Sequence, residues 1–219
     1  MWNRLKYPIA MCIFVILVVS CENPGIYDGG GGGGDPQCYF VNFAKQDDGS
    51  VLFYTNDPRM IGPSGYNYWC IGTYNPDPME EFQVTVQKVS GSAAGGYGVI
   101  FSAQDRDNFL VLFINTRGFY KIGKVKDEDF TPFDTWLPSN DLYTGYVSNT
   151  IRIIYNEATS SYRVYFNDDT QGILFEDNDA QPFTHGYYGY ICELDEAEDF
   201  PDTAVEVRFQ QEDPADIGL

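Results

Sequence analysis

The amino-acid sequence predicts an all-β protein that folds as an antiparallel sandwich of two sheets. In several segments apolar and polar residues alternate with a period of two, which is the pattern of a strand with one buried face. Clusters of Gly, Asn, Asp and Ser separate these segments, and no window of the sequence has a helical period. About a dozen short strands with turns between them are typical of a sandwich or a barrel.

The clearest strands lie between Gly95 and Val125, where polar turns at Gln104–Asn108 and Asn115–Gly118 separate three apolar runs. This order predicts three consecutive antiparallel strands. Two acidic segments, 126–146 and 193–203, are predicted to be irregular, and the first is long enough to cross a sheet. In chain order, we expect strands at 37–43, 51–54, 66–74, 82–88, 96–101, 109–115, 118–124, 149–155, 162–166, 171–176, 186–192 and 205–209.

Residues 1–21 have the features of an export signal. Arg4 and Lys6 precede an apolar run, Tyr7–Val19, which is shorter than the about 20 residues of a membrane-spanning helix. The run ends in Leu17-Val18-Val19-Ser20-Cys21, which resembles a bacterial lipobox, so we expect Cys21 to carry a lipid anchor. The alternative is an ordinary secretory signal that happens to contain a Cys near its cleavage site.

Residues 22–36, with the run Gly29–Gly34, predict a flexible tether with a reach of roughly 20 Å. The sandwich is expected at 37–211, followed by a tail at 212–219. We expect an exported protein that is held on a bacterial cell membrane, at its periplasmic face or the cell surface, by the lipid alone.

The chain has a formal net charge of −19 and contains 17 Tyr and 16 Phe. Such an acidic surface opposes binding to nucleic acid and to anionic lipid, and we expect a monomer. If Cys21 is lipidated, Cys38, Cys70 and Cys192 remain in the exported part. They allow one disulfide, whose pairing the sequence leaves open.

A series of motifs runs through 37–211. They are, in order, GGYGVIF at 95–101, a polar turn at Asp105–Asn108, GFYKIGK at 118–124, NTIRI at 149–153, YRVYFND at 162–168, GYYGYI at 186–191 and VEVRF at 205–209. This order resembles the concanavalin A-like lectin/glucanase superfamily, in its laminin-G-like jelly-roll branch. The resemblance implies a jelly roll of two curved sheets with ligands on the concave face or at the rim loops. Members include glycan-binding modules, glycosidases and domains without a known ligand, so the fold alone does not choose a function.

One acidic segment, 193–198, matches the E-x-D-x-x-E pattern of retaining laminarinase-type glycosidases on this fold. The resemblance implies Glu193 as nucleophile, Glu198 as acid/base and Asp195 as a residue that tunes Glu193. Retention requires two carboxyls about 5 Å apart across the scissile bond. The alternative is a solvated acidic loop, which we favour because the segment lies near the C-terminus and acidic residues are common here.

Oxygen ligands in one turn suggest a Ca²⁺ site, because Asp105, Asp107 and Asn108 lie close together in the sequence. The alternative, a polar hairpin turn, is the favoured interpretation. The single histidine, His185, is expected in a turn, and no G-x-S-x-G elbow accompanies it. No other cofactor is expected.

A sugar site needs an exposed aromatic ring beside planar polar groups. The candidates are Tyr66, Tyr68 and Trp69 in one strand, Arg117, Tyr120 and Lys121 at another, and Tyr187 or Tyr188. Strand alternation should bury about half of these side chains. Trp136 is expected to plug a sheet edge or the core.

The sequence therefore predicts a lipid-anchored cell-envelope protein whose jelly roll binds a glycan or glycoconjugate without catalysis. The first alternative is a retaining glycosidase that acts on a β-glucan through Glu193 and Glu198. The second is a structural or adhesive surface protein without a sugar ligand, which a continuous exposed apolar patch would favour.

Overall fold

The computed structural model describes residues 42–61, 66–71, 81–105, 107–127, 129–179, 182–183 and 186–211, with the backbone alone at 66, 68, 70 and 71. All of them belong to one compact unit. The strands are β1 Phe43–Lys45, β2 Val51–Thr55, β3 Tyr66–Ile71, β4 Glu81–Ser90, β5 Tyr97–Ala103, β6 Phe109–Ile114, β7 Phe119–Lys126, β8 Asp129–Pro132, β9 Leu137–Pro138, β10 Asn149–Asn156, β11 Ser161–Phe166, β12 Ile173–Glu176, β13 Tyr187–Leu194 and β14 Val205–Gln211. One 3₁₀ turn lies at Pro58–Met60.

The strands form two sheets. The first sheet has the order β1-β2-β14-β4-β10-β11-β12, and the second has the order β3-β13-β5-β6-β7-β8 with β9 also paired to β7. Neighbouring strands are antiparallel throughout the described residues. The predicted antiparallel sandwich of two sheets is confirmed.

The main core lies between the two sheets and follows from the period-two pattern. In β4, Phe82, Val84 and Val86 are buried while the residues between them are half-buried. From the second sheet, Tyr97 and Leu112 join the same cluster. Because each side chain removed from water contributes about 1.5–3 kcal/mol, this layer holds the two sheets together.

The second sheet is buried on its other side as well, which we call the outer face. There Ile100, Phe109, Val111, Phe113 and Ile191 form a separate apolar cluster. β5 and β6 are therefore buried along their whole length and form continuous apolar runs rather than alternating ones.

Most predicted strands are confirmed, and two differences stand out. Two short strands, β8 and β9, occur in the segment 126–146 that was predicted to be irregular. β13 runs to Leu194, so the acidic segment starts inside a strand, where Glu193 pairs with Asn67 of β3. Of the strand predicted at 37–43, the part before 42 lies outside the described residues.

Stability should fall at alkaline pH because of buried tyrosines. Burial raises the pKa of Tyr97 from 10.0 to about 12. The folded state keeps this proton where the unfolded chain loses it, so the contribution is complete below pH 10 and is lost as the pH rises toward 12. Between about pH 9 and pH 11, Tyr97 accounts for a loss of about 1.4 kcal/mol in the free energy of unfolding.

Urea unfolding across that pH interval measures this contribution. Tyr97→Phe should show a shallower decline than the parent protein, whereas Tyr143→Phe, at a half-exposed position, should decline as the parent does. Equal slopes for Tyr97→Phe and the parent would contradict the assignment.

Candidate functional site

Aromatic side chains collect on the outer face of the second sheet. Trp69 of β3 packs on Phe109 of β6 with ring centroids 5.8 Å apart. Phe113 of β6 meets Phe130 of β8 edge to face at 6.1 Å. Half-buried Trp136, from the segment between β8 and β9, joins this layer. These rings come from strands far apart in the sequence, and sheet pairing brings them to one face.

Glycines in the strands let these side chains lie directly on the sheet. A β-carbon on Gly123 would lie 2.3 Å from a ring atom of Phe130. A β-carbon on Gly96 would lie 2.7 Å from Glu193 Oε2 and 3.2 Å from Trp136 Cη2. Any larger residue at Gly96 or Gly123 would therefore push the aromatic layer away from the sheet.

Lys121 of β7 is the cation in this layer. Its Nζ lies 3.3 Å from Glu193 Oε1. The same ammonium lies 4.6 Å from the ring centroid of Trp136, 4.9 Å from that of Phe113 and 5.2 Å from that of Phe130. Cation–π contacts and the ion pair together fix this long side chain, which is 10% exposed.

Beside this ion pair lies a pocket of about 230 Å³. Trp136 forms its aromatic wall, and Glu193, Asp195 and Glu196 supply three carboxylates. The rest of its lining comes from Ala94, Gly95 and Leu194. Glu193 is partly exposed, with 28% of its side chain accessible, so its carboxylate can meet a ligand while it stays paired to Lys121.

Glu198 lies on the opposite side of the chain from Glu193. A β-carbon on Gly95 would lie 3.0 Å from Glu198 Oε1 and 2.8 Å from Lys88 Nζ, whereas one on the next residue, Gly96, would meet Glu193. Glu193 pairs with Lys121 of the outer face, whereas Lys88 lies on the inward side of β4 with Val84 and Val86. Glu193 therefore faces the outer side, while Glu198 is turned inward beside Lys88.

Glu198 and Lys88 form a buried ion pair with 3.7 Å between Nζ and Oε1, and each side chain is 1% exposed. Glu198 Oε2 also accepts a hydrogen bond from the Ser92 backbone N–H at 2.6 Å. Lys88 donates to the Gly95 carbonyl at 3.2 Å. Burial lowers the pKa of Lys88, and the charge of Glu198 opposes that shift.

The structure thus divides the predicted catalytic set. Glu193 and Asp195 share the pocket, but Glu198 does not line it. Glu198 is buried on the inward side and pairs with Lys88, so this geometry gives no support to its assignment as acid/base, which stays a prediction. The sequence pattern missed this because Glu198 follows the end of β13 and its direction depends on Lys88.

The predicted ligand-binding residues lie in different parts of the structure. Lys121 and Trp69 lie on the outer face, and Arg117 is exposed in the turn between β6 and β7. Tyr120 points between the sheets instead, where its ring packs on Phe166 with centroids 5.5 Å apart. The side chains of Tyr66 and Tyr68 lie outside the described part of the chain.

Tyr187 and Tyr188 lie on opposite faces of β13. Tyr187 packs against the outer cluster, and Tyr188 joins the main core beside Phe82, with ring centroids 4.2 Å apart. Trp136 and Glu196 are pocket residues that the sequence interpretation missed. A Trp within a long acidic segment was the available signal for this part of the site.

The turn that was considered for Ca²⁺ uses its polar groups internally. Both carboxylate oxygens of Asp105 accept hydrogen bonds from the Asn108 amide at 2.9 and 3.0 Å. Asn108 Oδ1 accepts from the Asp127 N–H, and the Asp107 N–H donates to Asp105. Across the described ranges, no three His, Cys, Asp or Glu side chains are grouped to hold a metal ion. These contacts match the polar hairpin turn.

Cys192 is buried and free, and burial raises the pKa of its thiol. Cys21, Cys38 and His185 lie outside the described residues, as does the side chain of Cys70. The part of the chain that the structure describes contains no helix with the length and apolar character of a membrane span.

Replacing Glu198 by Gln should destabilise the fold by about 3 kcal/mol, because the Lys88 ammonium would lose its buried counter-charge. In the double variant Lys88→Met/Glu198→Gln, the free energy of unfolding, measured with urea, should return most of the way to the parent value. Glu157→Gln, at an exposed turn, should stay within about 0.5 kcal/mol of the parent. A fully stable Glu198→Gln protein would contradict the buried pair.

No protein-family model matches the sequence, and no curated protein sequence matches it. The fold is similar to several solved structures. A beta-1,3-glucanase from Mycobacterium marinum is 10% identical with a TM-score of 0.46, and the match covers 77% of each chain. A legume lectin-like domain from Entamoeba histolytica is 17% identical with a TM-score of 0.43, covering 82% of this chain and 89% of that one. The carbohydrate recognition domain of Emp47p is 12% identical with a TM-score of 0.41, covering 79% and 90%.

Proposed function

We propose that this chain is a lipid-anchored cell-envelope protein whose jelly roll binds a glycan without catalysis, at the pocket beside Trp136. The proposal rests on one observation: a single open pocket is lined by an aromatic ring, Trp136, and by three acidic residues. Binding sites for small ligands commonly combine apolar walls with a few polar groups that fix orientation. A sugar ring offers the matching surfaces, with C–H groups on its faces and hydroxyls around its edge.

Each wall has a defined part in this proposal. Trp136 is anchored by the Lys121 ammonium, so its ring keeps its position without a ligand. Glu193, fixed by the same ammonium, is an acceptor for sugar hydroxyls. Asp195 is oriented by the Ala197 N–H, which donates to Oδ1 at 2.9 Å. Such pre-organised acceptors lose little freedom on binding.

The size of the pocket favours a single sugar unit. Its volume of about 230 Å³ lies below the roughly 300–1,000 Å³ of sites that enclose drug-sized ligands. We therefore expect recognition of one ring, at a chain end or a branch, rather than of a long polysaccharide cleft. Further aromatics of the outer face, such as Trp69, are half-buried and could extend the contact.

The position of Glu198 supports binding over hydrolysis. A retaining glycosidase needs a second carboxyl about 5–5.5 Å from the nucleophile, facing the same bond. Glu198 is committed to Lys88 on the inward side. Glucan hydrolysis stays the second candidate, because Asp195 and Glu196 line the same pocket as Glu193.

A purely adhesive role has weaker support. Several large exposed apolar side chains lie apart from one another, at Tyr54 of β2, Leu174 of β12 and Phe133 after β8. Tyr143, Tyr146 and Val147 lie together in the segment between β9 and β10. Exposed apolar residues that are scattered singly are normal for a protein surface.

The envelope location rests on the lipobox-like segment ending at Cys21 and on the Gly-rich tether. A tri-acylated Cys would anchor stably, since each buried CH₂ contributes about 0.8 kcal/mol.

Trp136→Ala should lower glycan affinity at least about tenfold, because it removes the aromatic wall of the pocket. Affinity electrophoresis and a glycan array with the mature protein provide the measurement. Tyr143→Ala, which removes a half-exposed ring elsewhere, should bind as the parent does. Binding to no glycan on the array, or equal binding by Trp136→Ala, would remove the basis of the proposal.

The bound glycan should be recovered intact after prolonged incubation. If the protein instead releases reducing ends from a β-glucan, and Glu193→Gln abolishes that release, the result supports the hydrolase.

Cys21→Ser should abolish lipidation. In a bacterial host, the parent protein should carry the mass of the acyl chains and partition into detergent, and the variant should do neither. Unchanged partitioning of Cys21→Ser would show that Cys21 is not the anchor.

A further inference from the structure

We infer that the pocket selects a sugar unit with a free ammonium group over its N-acetylated or acidic counterparts. The inference rests on the proposed function and names its ligand class. It follows from the charges around the pocket and from the way in which two of its walls already hold an ammonium.

The walls of the pocket have an excess of negative charge. Glu193, Asp195 and Glu196 are in its lining. The two nearby described cations are each paired, Lys121 to Glu193 and Lys88, which lies behind Gly95, to Glu198. Glu196 is exposed, and neither it nor Asp195 forms an ion pair with a described residue. An anionic sugar would meet like charge here, whereas a cationic one would find two carboxylates without ion-pair partners.

The second observation is the way in which Lys121 is bound. Trp136 and Glu193 bind the Lys121 ammonium from the strand side, at 4.6 Å from the ring centroid and 3.3 Å from the carboxylate. Together with Phe113 and Phe130 they form an aromatic cage with an acidic group, the arrangement that recognises ammonium ions. Because Lys121 fills this cage, a ligand ammonium would bind at the other two acidic residues of the pocket, Asp195 and Glu196, beside Trp136.

The Asp195 carboxylate can accept hydrogen bonds from the ligand's ammonium. Its Oδ1 accepts from the Ala197 N–H, and its Oδ2 accepts a long 3.4 Å hydrogen bond from Ser92 Oγ. A carboxylate has room for about four hydrogen bonds, so Asp195 keeps free acceptor positions. Glu196, next in the chain, can approach the same group from solvent.

The test compares two matched disaccharides, the β-1,4-linked glucosamine dimer and its N,N′-diacetylated form. Acetylation removes the charge of each amine and leaves the rings unchanged. Calorimetry with the mature protein in about 0.15 M salt, which screens distant charges, should give an affinity about tenfold higher for the free amine. Glu196→Gln and Asp195→Asn should each reduce that preference severalfold.

Glu157→Gln removes the same charge from an exposed turn of the first sheet and should leave the preference unchanged. A preference that persists in Trp136→Ala and in the pocket carboxylate variants would mean general attraction to the acidic chain and would overturn the inference. Equal affinity for both dimers, lost in Trp136→Ala, would overturn the inference while leaving glycan binding intact. If neither dimer nor any other glycan binds, both the inference and the proposed function fail.

Discussion

The buried ion pair between Lys88 and Glu198 decides how the acidic segment after β13 is arranged. Two ions without water are costly unless they are paired and hydrogen-bonded, and here Ser92 and Gly95 supply further hydrogen bonds. The pair draws Glu198 inward, so that the chain between Leu194 and Glu198 must turn at the rim. That turn leaves Asp195 and Glu196 at the mouth of the pocket. A buried charge pair thereby separates a structural carboxylate from those available to a ligand.

The outer face also depends on two glycines, which carry no side chain. Gly96 and Gly123 leave room for Glu193, Trp136 and Phe130 to lie on the backbone. Lys121 then connects the aromatic rings to the Glu193 carboxylate. The result is a layer whose charged groups are held by neighbours before any ligand arrives, which reduces the entropy cost of binding.

The extent of agreement between sequence and structure has physical causes. Strands such as β4 were predictable because one buried face imposes alternation on Phe82, Val84 and Val86. β8 and β9 were not, because they are short, largely exposed and exist through pairing with β7. For the fold, local patterns suffice wherever burial repeats along one strand.

The site could be predicted only in part. Lys121 and Glu193 were candidates, but the sequence did not indicate that they pair across 72 residues. The sequence did not show that Tyr120 and Lys121 point to different sides of β7, because this strand carries apolar and polar residues on both sides. Trp136 and Glu198 take their positions from contacts with distant strands, which no local pattern records.

The central claim is that ligand binding takes place on the outer face of the second sheet, beside Trp136. Hydrogen–deuterium exchange of the mature protein, with and without the tightest-binding glycan, tests it most directly. We expect slower exchange in peptides that cover 92–98, 133–138 and 193–197, with no change in β4 and β10 of the first sheet. Protection confined to the first sheet, with none around Trp136, would contradict the account.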